Sequence, residues 1–307
     1  MAGLAPHRRR WSSFAAGLLF GLLPAVWGCG IKTEVKVPVS PKLAAARTAS
    51  LAEVLDMVTV ADRKIRSLSS SVKVSLTVGH EDSGKLQEYR SATGYILLRR
   101  PDRLLMNIQN PLTRTTILEL SSAGDQFEIW SPRDNKAYLG RNSVREFDLE
   151  GQSDAAGFAA RPSQILEAIL PPGIQPKEPG ERIMRTEEQD AAAKYYVMTL
   201  LREAGDREAK PVRRIWVERS QMAVVKEETF TDSGQVDGIV SYGDLADFEG
   251  VRLPLSIRLE RPLDGYRLDM QFKSWRINPE LPDEAFVLKI PPAAERIVLK
   301  EKARSSH

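Results

Sequence analysis

The chain has 307 residues, 42% of them hydrophobic and 28% charged, with 44 basic side chains, 41 acidic ones and a single cysteine. That length suffices for one large packed domain or two small ones, and one cysteine excludes both a disulfide framework and a thiolate metal site within the chain. Arg8, Arg9 and Arg10 are the charged residues of the first 28, so the chain from Cys29 onward carries 41 bases against 41 acids; neither that balance nor any basic cluster with interleaved aromatics suits a nucleic-acid surface.

Residues 8–30 read RRRWSSFAAGLLFGLLPAVWGCG: a basic start, an apolar run from Phe14 to Leu23, and small residues ahead of Cys29, the pattern of an export signal. Val26, Trp27 and Gly28 before Cys29 fit its lipoprotein form, in which the signal is cut before the cysteine and the thiol is lipidated. Residues 1–28 are then a signal peptide and 29–49 a lipidated tether, with Pro38 and Pro41 helping the body stand off a membrane. The other reading is one transmembrane helix over 11–28. A span needs about 20 apolar residues, and Ser12, Ser13 and Pro24 leave a shorter clean core.

Ser50 followed by Glu53 has the spacing of a capping box. Leu51, Val54, Leu55, Val58, Ala61, Ile65 and Leu68 follow at helical spacing, so an amphipathic helix is predicted over 50–68. At Ser71 the period changes from 3.6 to 2: Val72, Val74, Leu76 and Val78 alternate with polar residues, as in a half-buried strand. A turn over 79–84 leads to further strands at 95–98, 104–109, 115–120, 127–130 and 137–139, the pattern of an antiparallel meander. A long polar loop is predicted over 142–160, then a short helix over 163–170 stopped by Pro171-Pro172-Gly173; a loop of that length tends to be functional. Strands return at 195–201, 212–217, 223–230, 239–244, 252–259, 266–275 and 286–290, joined by turns such as Asp232-Ser233-Gly234 and Leu263-Asp264-Gly265.

About a dozen strands, two helices and no βαβ alternation predict a mainly β (α+β) fold. The expected architecture is a strongly curved antiparallel sheet forming an incomplete barrel over 50–293, with helices as lid or plug and a polar tail over 294–307. Such a sheet is a natural container for an apolar ligand. Catalytic and metal chemistry find no footing: His7, His80 and His307 lie far from one another, and no GxGxxG, P-loop or HExxH motif occurs. The carboxylate pairs Glu187-Glu188 and Glu227-Glu228 read as solvated faces. No enzyme, no metal and no cofactor is expected.

Gly94, Arg100-Pro101 and Pro111 within GYILLRRPDRLLMNIQNPL at 94–112 resemble the family that ferries lipoproteins across the periplasm, the LolA carriers and LolB receptors. Asn110-Pro111-Leu112 ahead of 115–120 is similar to the receptors' loop between two strands, although Thr113 stands where they have glycine. The helix at 162–171, the closing strands with Pro254, Leu268, Met270 and Trp275, and the lipobox cysteine also resemble the receptors. This resemblance implies an incomplete barrel whose apolar cavity takes up acyl chains. It implies that Arg100 latches a helical lid, where the plain reading is a solvated arginine before a proline. It implies that Leu112 is a membrane-contacting loop tip, where the plain reading is a turn residue folded onto the core.

The cavity is then expected from Leu55 and Val58 on the helix and from Val72, Val74, Leu76, Ile96, Leu98, Leu104, Met106, Ile108, Leu118, Phe127, Ile129, Ile215, Val217 and Phe272 on the strands. The plain alternative is that they pack a dry core. Gly30 after the cysteine, where aspartate marks inner-membrane retention in lipoprotein sorting, points to a periplasm-facing outer-membrane lipoprotein, and a monomer is expected. Its partners would be acylated lipoproteins or lipids and a periplasmic carrier protein. The rival functions are an envelope lipid shuttle and a non-catalytic structural or interaction lipoprotein with a filled core.

Overall fold

A computed structural model describes residues 44–79, 87–144, 147, 161–171, 173–205 and 207–301. The chain divides into a unit over 1–40 and one over 41–307, and everything described belongs to the second. The signal, Cys29, the tether as far as residue 43, His80 and most of the 142–160 loop lie outside the described residues.

The first helix, α1 (Leu51–Lys64), starts where the capping box predicts: the Ser50 amide donates to Glu53 Oε2 at 2.6 Å and the Glu53 amide to Ser50 Oγ at 3.3 Å. It stops four residues before Leu68. There Asn278 satisfies groups the helix leaves open, donating from Nδ2 to the Lys64 carbonyl at 2.9 Å and accepting at Oδ1 from the Arg66 amide at 2.7 Å. The chain turns at once into β1 (Ser67–Val78), so Leu68 is buried from a strand and not from the helix.

The meander continues through β2 (Gln87–Arg99), β3 (Arg103–Gln109), β4 (Thr116–Ala123), β5 (Gln126–Ser131) and β6 (Lys136–Arg141) to α2 (Pro162–Ile169). After it come β7 (Glu181–Gln189), β8 (Lys194–Glu203), β9 (Ala209–Glu218), β10 (Ala223–Phe230), β11 (Val236–Phe248), β12 (Val251–Arg261) and β13 (Tyr266–Phe272). The short β14 (Arg276–Ile277) pairs with β1, and β15 (Glu295–Val298) closes the described chain. All belong to one curved, open sheet in the order β15-β6-β5-β4-β3-β2-β1-β13-β12-β11-β10-β9-β8-β7. Every pairing is antiparallel except that of β15 with β6. The fold is thus the predicted mainly β incomplete barrel.

Three differences have physical reasons. β7 escapes the hydrophobic pattern because it is an edge strand whose apolar residues are Ile183 and Met184; its charges guard an open edge. The 286–290 stretch is no strand: a 3-10 turn, Asp283–Phe286, presses Phe286 and Leu288 onto Leu105, Trp130 and Ala137 on the outer face of the sheet. The expected tail at 294–307 contributes β15, because Ile297 and Val298 follow β6 in parallel.

The inner face carries two clusters. One packs Ile165, Leu166, Ile169 and Leu170 of α2 and its end against inward residues of β1 to β5, β12 and β13. The other packs Val54, Leu55 and Val58 of α1 against Tyr196, Met198, Ile215 and Val217 of β8 and β9.

Candidate functional site

Between the two clusters the sheet lines an open cavity of 1120 Å³, bounded by α1, the segment leading into it, the end of α2 and strands β9 to β12. Val58, Ile65, Ile169, Leu170, Ile215 and Leu253 give it an apolar wall, to which Asp56, Lys64, Arg100, Arg213 and Glu227 add charged groups. Its outer rim is polar, with Arg47 and Glu53 on the helix side and Gln221, Asp247 and Arg252 on the sheet turns. That combination of apolar walls and a few polar groups is the composition of a small-molecule site.

The rim on the helix side is pinned. Tyr196 Oη accepts from the Ala49 amide at 2.7 Å and donates to the Arg47 carbonyl at 3.1 Å. Arg219 Nε donates to the same carbonyl at 3.0 Å, and Arg185 Nη1 to the Ala49 carbonyl at 2.8 Å. Both guanidiniums stack on the Tyr196 ring, at 4.6 Å for Arg219 and 5.2 Å for Arg185. The approach to α1 is therefore fixed at the rim.

At the other end of α1, Arg100 in the β2–β3 turn lines the cavity and donates from Nε to the Ile65 carbonyl at 3.2 Å, while its amide donates to the Arg66 carbonyl at 2.9 Å. It is half-buried and tied to the end of the helix, which is not the plain reading of a solvated residue.

The buried end of the cavity is polar, and the sequence reading missed it. Arg213 grips Glu227 bidentately, Nε to Oε1 at 2.6 Å and Nη2 to Oε2 at 2.7 Å. The pair Glu227-Glu228 is thus not a solvated face: both are buried, Glu228 accepting from Lys226 Nζ at 2.7 Å. Period-2 counting carried the signal, since Arg213 precedes the inward Ile215 and Val217 on one face of β9. Tyr242 lines the same end, and burial pushes its hydroxyl well above the usual phenol range. Glu167 on α2 keeps contact with water, yet burial, then the nearby Glu227 charge, raises its carboxyl.

No family model and no curated protein matches the chain. Solved structures do. A LolA superfamily protein from Nitrosomonas europaea is 16% identical, covering 78% of this chain and 99% of its own, with a TM-score of 0.47. A DUF1329 family protein from Desulfovibrio piger is 14% identical over 78% and 98%, with a TM-score of 0.49. A domain described as an outer membrane lipoprotein-sorting protein, from Vibrio parahaemolyticus, is 9% identical over 76% and 94%, with a TM-score of 0.47. The chain is similar to these in fold. The likeness carries nothing about ligand, partner or residue roles.

The structure divides the expected cavity residues. Val72, Val74, Ile96, Leu98, Leu104, Met106, Ile108, Phe127, Ile129 and Phe272 are buried in the cluster around α2, with Leu76 and Leu118 packed against it. They are buried side chains of the cluster that α2 packs into. Leu55, Val58, Ile215 and Val217 belong to the other cluster, and of the expected residues Val58 and Ile215 line the cavity.

Leu112 stands apart from both. It is 90% exposed, so it does not fold onto the core. Asn110 Oδ1 accepts from the Leu112 amide at 2.9 Å and the Thr113 amide at 3.1 Å, holding the loop outward. Strand register puts this loop on the margin of the sheet opposite the Arg100 turn, whereas the turns at 219–222 and 249–250 beside the cavity rim share the Arg100 margin.

Proposed function

We propose that the protein is a periplasm-facing outer-membrane lipoprotein that takes acyl chains of lipoproteins or lipids into its cavity and passes them to the bilayer. The observation that carries this reading is the 1120 Å³ apolar-walled space under α1. An acyl chain of about 16 carbons is worth about 12 kcal/mol of burial at ~0.8 kcal/mol per CH₂, so it does not cross water free. The apolar part of the cavity wall would offset much of that cost at each transfer step.

The tether supports the reading. The chain reaches α1 through the pinned rim, and the 18 residues from Cys29 to Arg47 (47 − 29) span at most about 60 Å when extended. A lipid on Cys29 would hold the body by the lip of its cavity. On this reading Arg100 latches the end of α1, Leu112 offers an apolar tip to the membrane, and the role is carriage without catalysis.

A second reading has one observation in its favour: the inward residues around α2 form a large buried apolar cluster, as in a lipoprotein that only holds a partner. Native mass spectrometry of the protein taken from its membrane decides between them. A bound acyl-bearing species is expected. Protein that carries none, and takes up no fluorescent acyl probe, sinks the carrier reading. Depletion then separates cargo: mislocalised lipoproteins indicate lipoprotein transfer, and normal sorting with altered envelope lipid indicates a lipid shuttle.

A further inference from the structure

Two basic runs far apart in the sequence meet at the edge of the cavity. Arg63, Lys64 and Arg66 end α1 and lead out of it, and Arg100 comes from the β2–β3 turn, joined to them by the bonds from its Nε to the Ile65 carbonyl and from its amide to the Arg66 carbonyl. Lys64, Ile65 and Arg100 line the cavity. Arg63, Lys64 and Arg66 are exposed and have no ion-pair partner among the described residues. The acids of α1 that line the cavity, Glu53 and Asp56, sit toward its other end, Asp56 about 12 Å along the axis from Lys64. Asp62 is the acid next to the first run in sequence. Asp102, in the second run, reaches toward the β4–β5 turn, its Oδ2 3.8 Å from where a Gly124 side chain would begin. The helix dipole favours bases in the last turn of α1, Arg63 and Lys64, but asks for neither Arg66 nor Arg100.

We propose that this edge holds the head group of an acyl lipid that carries a negatively charged phosphate, its chain lying along the apolar wall. The inference rests on the reading that the cavity takes acyl chains, and it narrows them to anionic phospholipids, since the lipid on a lipoprotein's cysteine carries no negative charge. Ile65, buried between Lys64 and Arg66, begins the apolar wall, so a chain entering there leaves its head among the bases. Arginine and lysine bind phosphate through charge-assisted hydrogen bonds, and one phosphate has oxygens enough for several of them. A glycerol-linked phosphate stands out from the chain, where Arg63 and Arg66 are exposed, whereas the carboxylate of a fatty acid stays at the chain's end beside the wall. An uncharged head group uses none of these bases.

The test uses the full chain, exchanged from detergent into an uncharged amphipathic polymer and loaded with an environment-sensitive dye. Three displacing probes share a chain of about 16 carbons: a single-chain phosphatidylglycerol, a monoacylglycerol and the fatty carboxylate. The phosphate probe is expected to displace the dye at a concentration about tenfold lower than the monoacylglycerol, the worth of a charge-assisted hydrogen bond, with the carboxylate between them. Raising the salt to about 1 M, where the screening length falls to about 3 Å, should shrink that advantage to about twofold or less. Lys64→Gln combined with Arg66→Gln should shrink it likewise at low salt. Equal displacement by the phosphate and uncharged probes, a carboxylate that matches the phosphate, or an advantage that persists at high salt or in the double variant overturns the phosphate site and leaves the cavity reading standing. Displacement by no probe overturns both.

Discussion

A methyl group at Gly94, which pairs with Ile108 of β3, would lie 1.8 Å from the Asn107 carbonyl oxygen. Backbone cannot yield as a side-chain tip does, so Gly94→Ala should cost about 3 kcal/mol, seen as a lowered urea midpoint at unchanged slope. An unchanged midpoint would mean that the strands separate freely there. Gly94 stood out in the sequence within the segment that resembles the carriers, but the reason for a glycine did not: the close approach exists only once β3 is paired. The Glu227 burial was hidden in the same way, since its partner Arg213 is 14 residues away. Glu167 gives a pH test. Its carboxyl is raised by burial and then by Glu227, so the folded chain holds that proton more tightly than the unfolded one. The associated stability is fully present below the ordinary value of 4.5 and is lost as pH rises through the folded value. Glu167→Gln should match the parent at acid pH and become relatively more stable toward neutrality in urea melts; a difference independent of pH would refute this.

Among the elements, α1 shows how far periodicity reaches. Its start was legible because Ser50 and Glu53 cap locally, while its end depends on Asn278, more than 200 residues away. Ile65 and Leu68 kept the helical spacing past the true stop because both are buried, Ile65 from the turn after the helix and Leu68 from β1. β7 and β15 were invisible for the opposite reason: edge strands need few apolar residues, and their pairing partners define them. The tie from Arg100 to the Ile65 carbonyl, one residue past α1, makes the proposed latch testable. Arg100→Leu should raise amide hydrogen exchange over Leu51–Lys64 about fivefold, the value of one hydrogen bond, while exchange in β8 and β9 stays unchanged. Exchange in α1 equal to the parent's would remove the latch.

At the scale of the molecule, one curved sheet carries two buried clusters on its inner face, one around α2 and one under α1, with the cavity between them. Binary patterning identified the inward residues of both halves, so the container was legible; which half stays open was not, because that is decided by where α2 docks, on β3, β4 and β12. The strand order separates the two proposed roles in space. The cavity lies under α1 at the margin shared with the Arg100 turn, and the exposed Leu112 tip lies at the opposite margin. Filling the cavity and touching a membrane should therefore fail independently. Val58→Trp, which puts an indole into the cavity wall, should cut acyl-probe uptake at least about tenfold and leave vesicle association unchanged. Leu112→Glu should do the reverse, since burying one leucine in a bilayer interface is worth about 1.5–3 kcal/mol and a carboxylate forfeits it. Uptake titrations and vesicle flotation on both variants check the pair. Loss of uptake in Leu112→Glu would show that the loop reaches the ligand, and the two margins would then have to communicate through the α2 core.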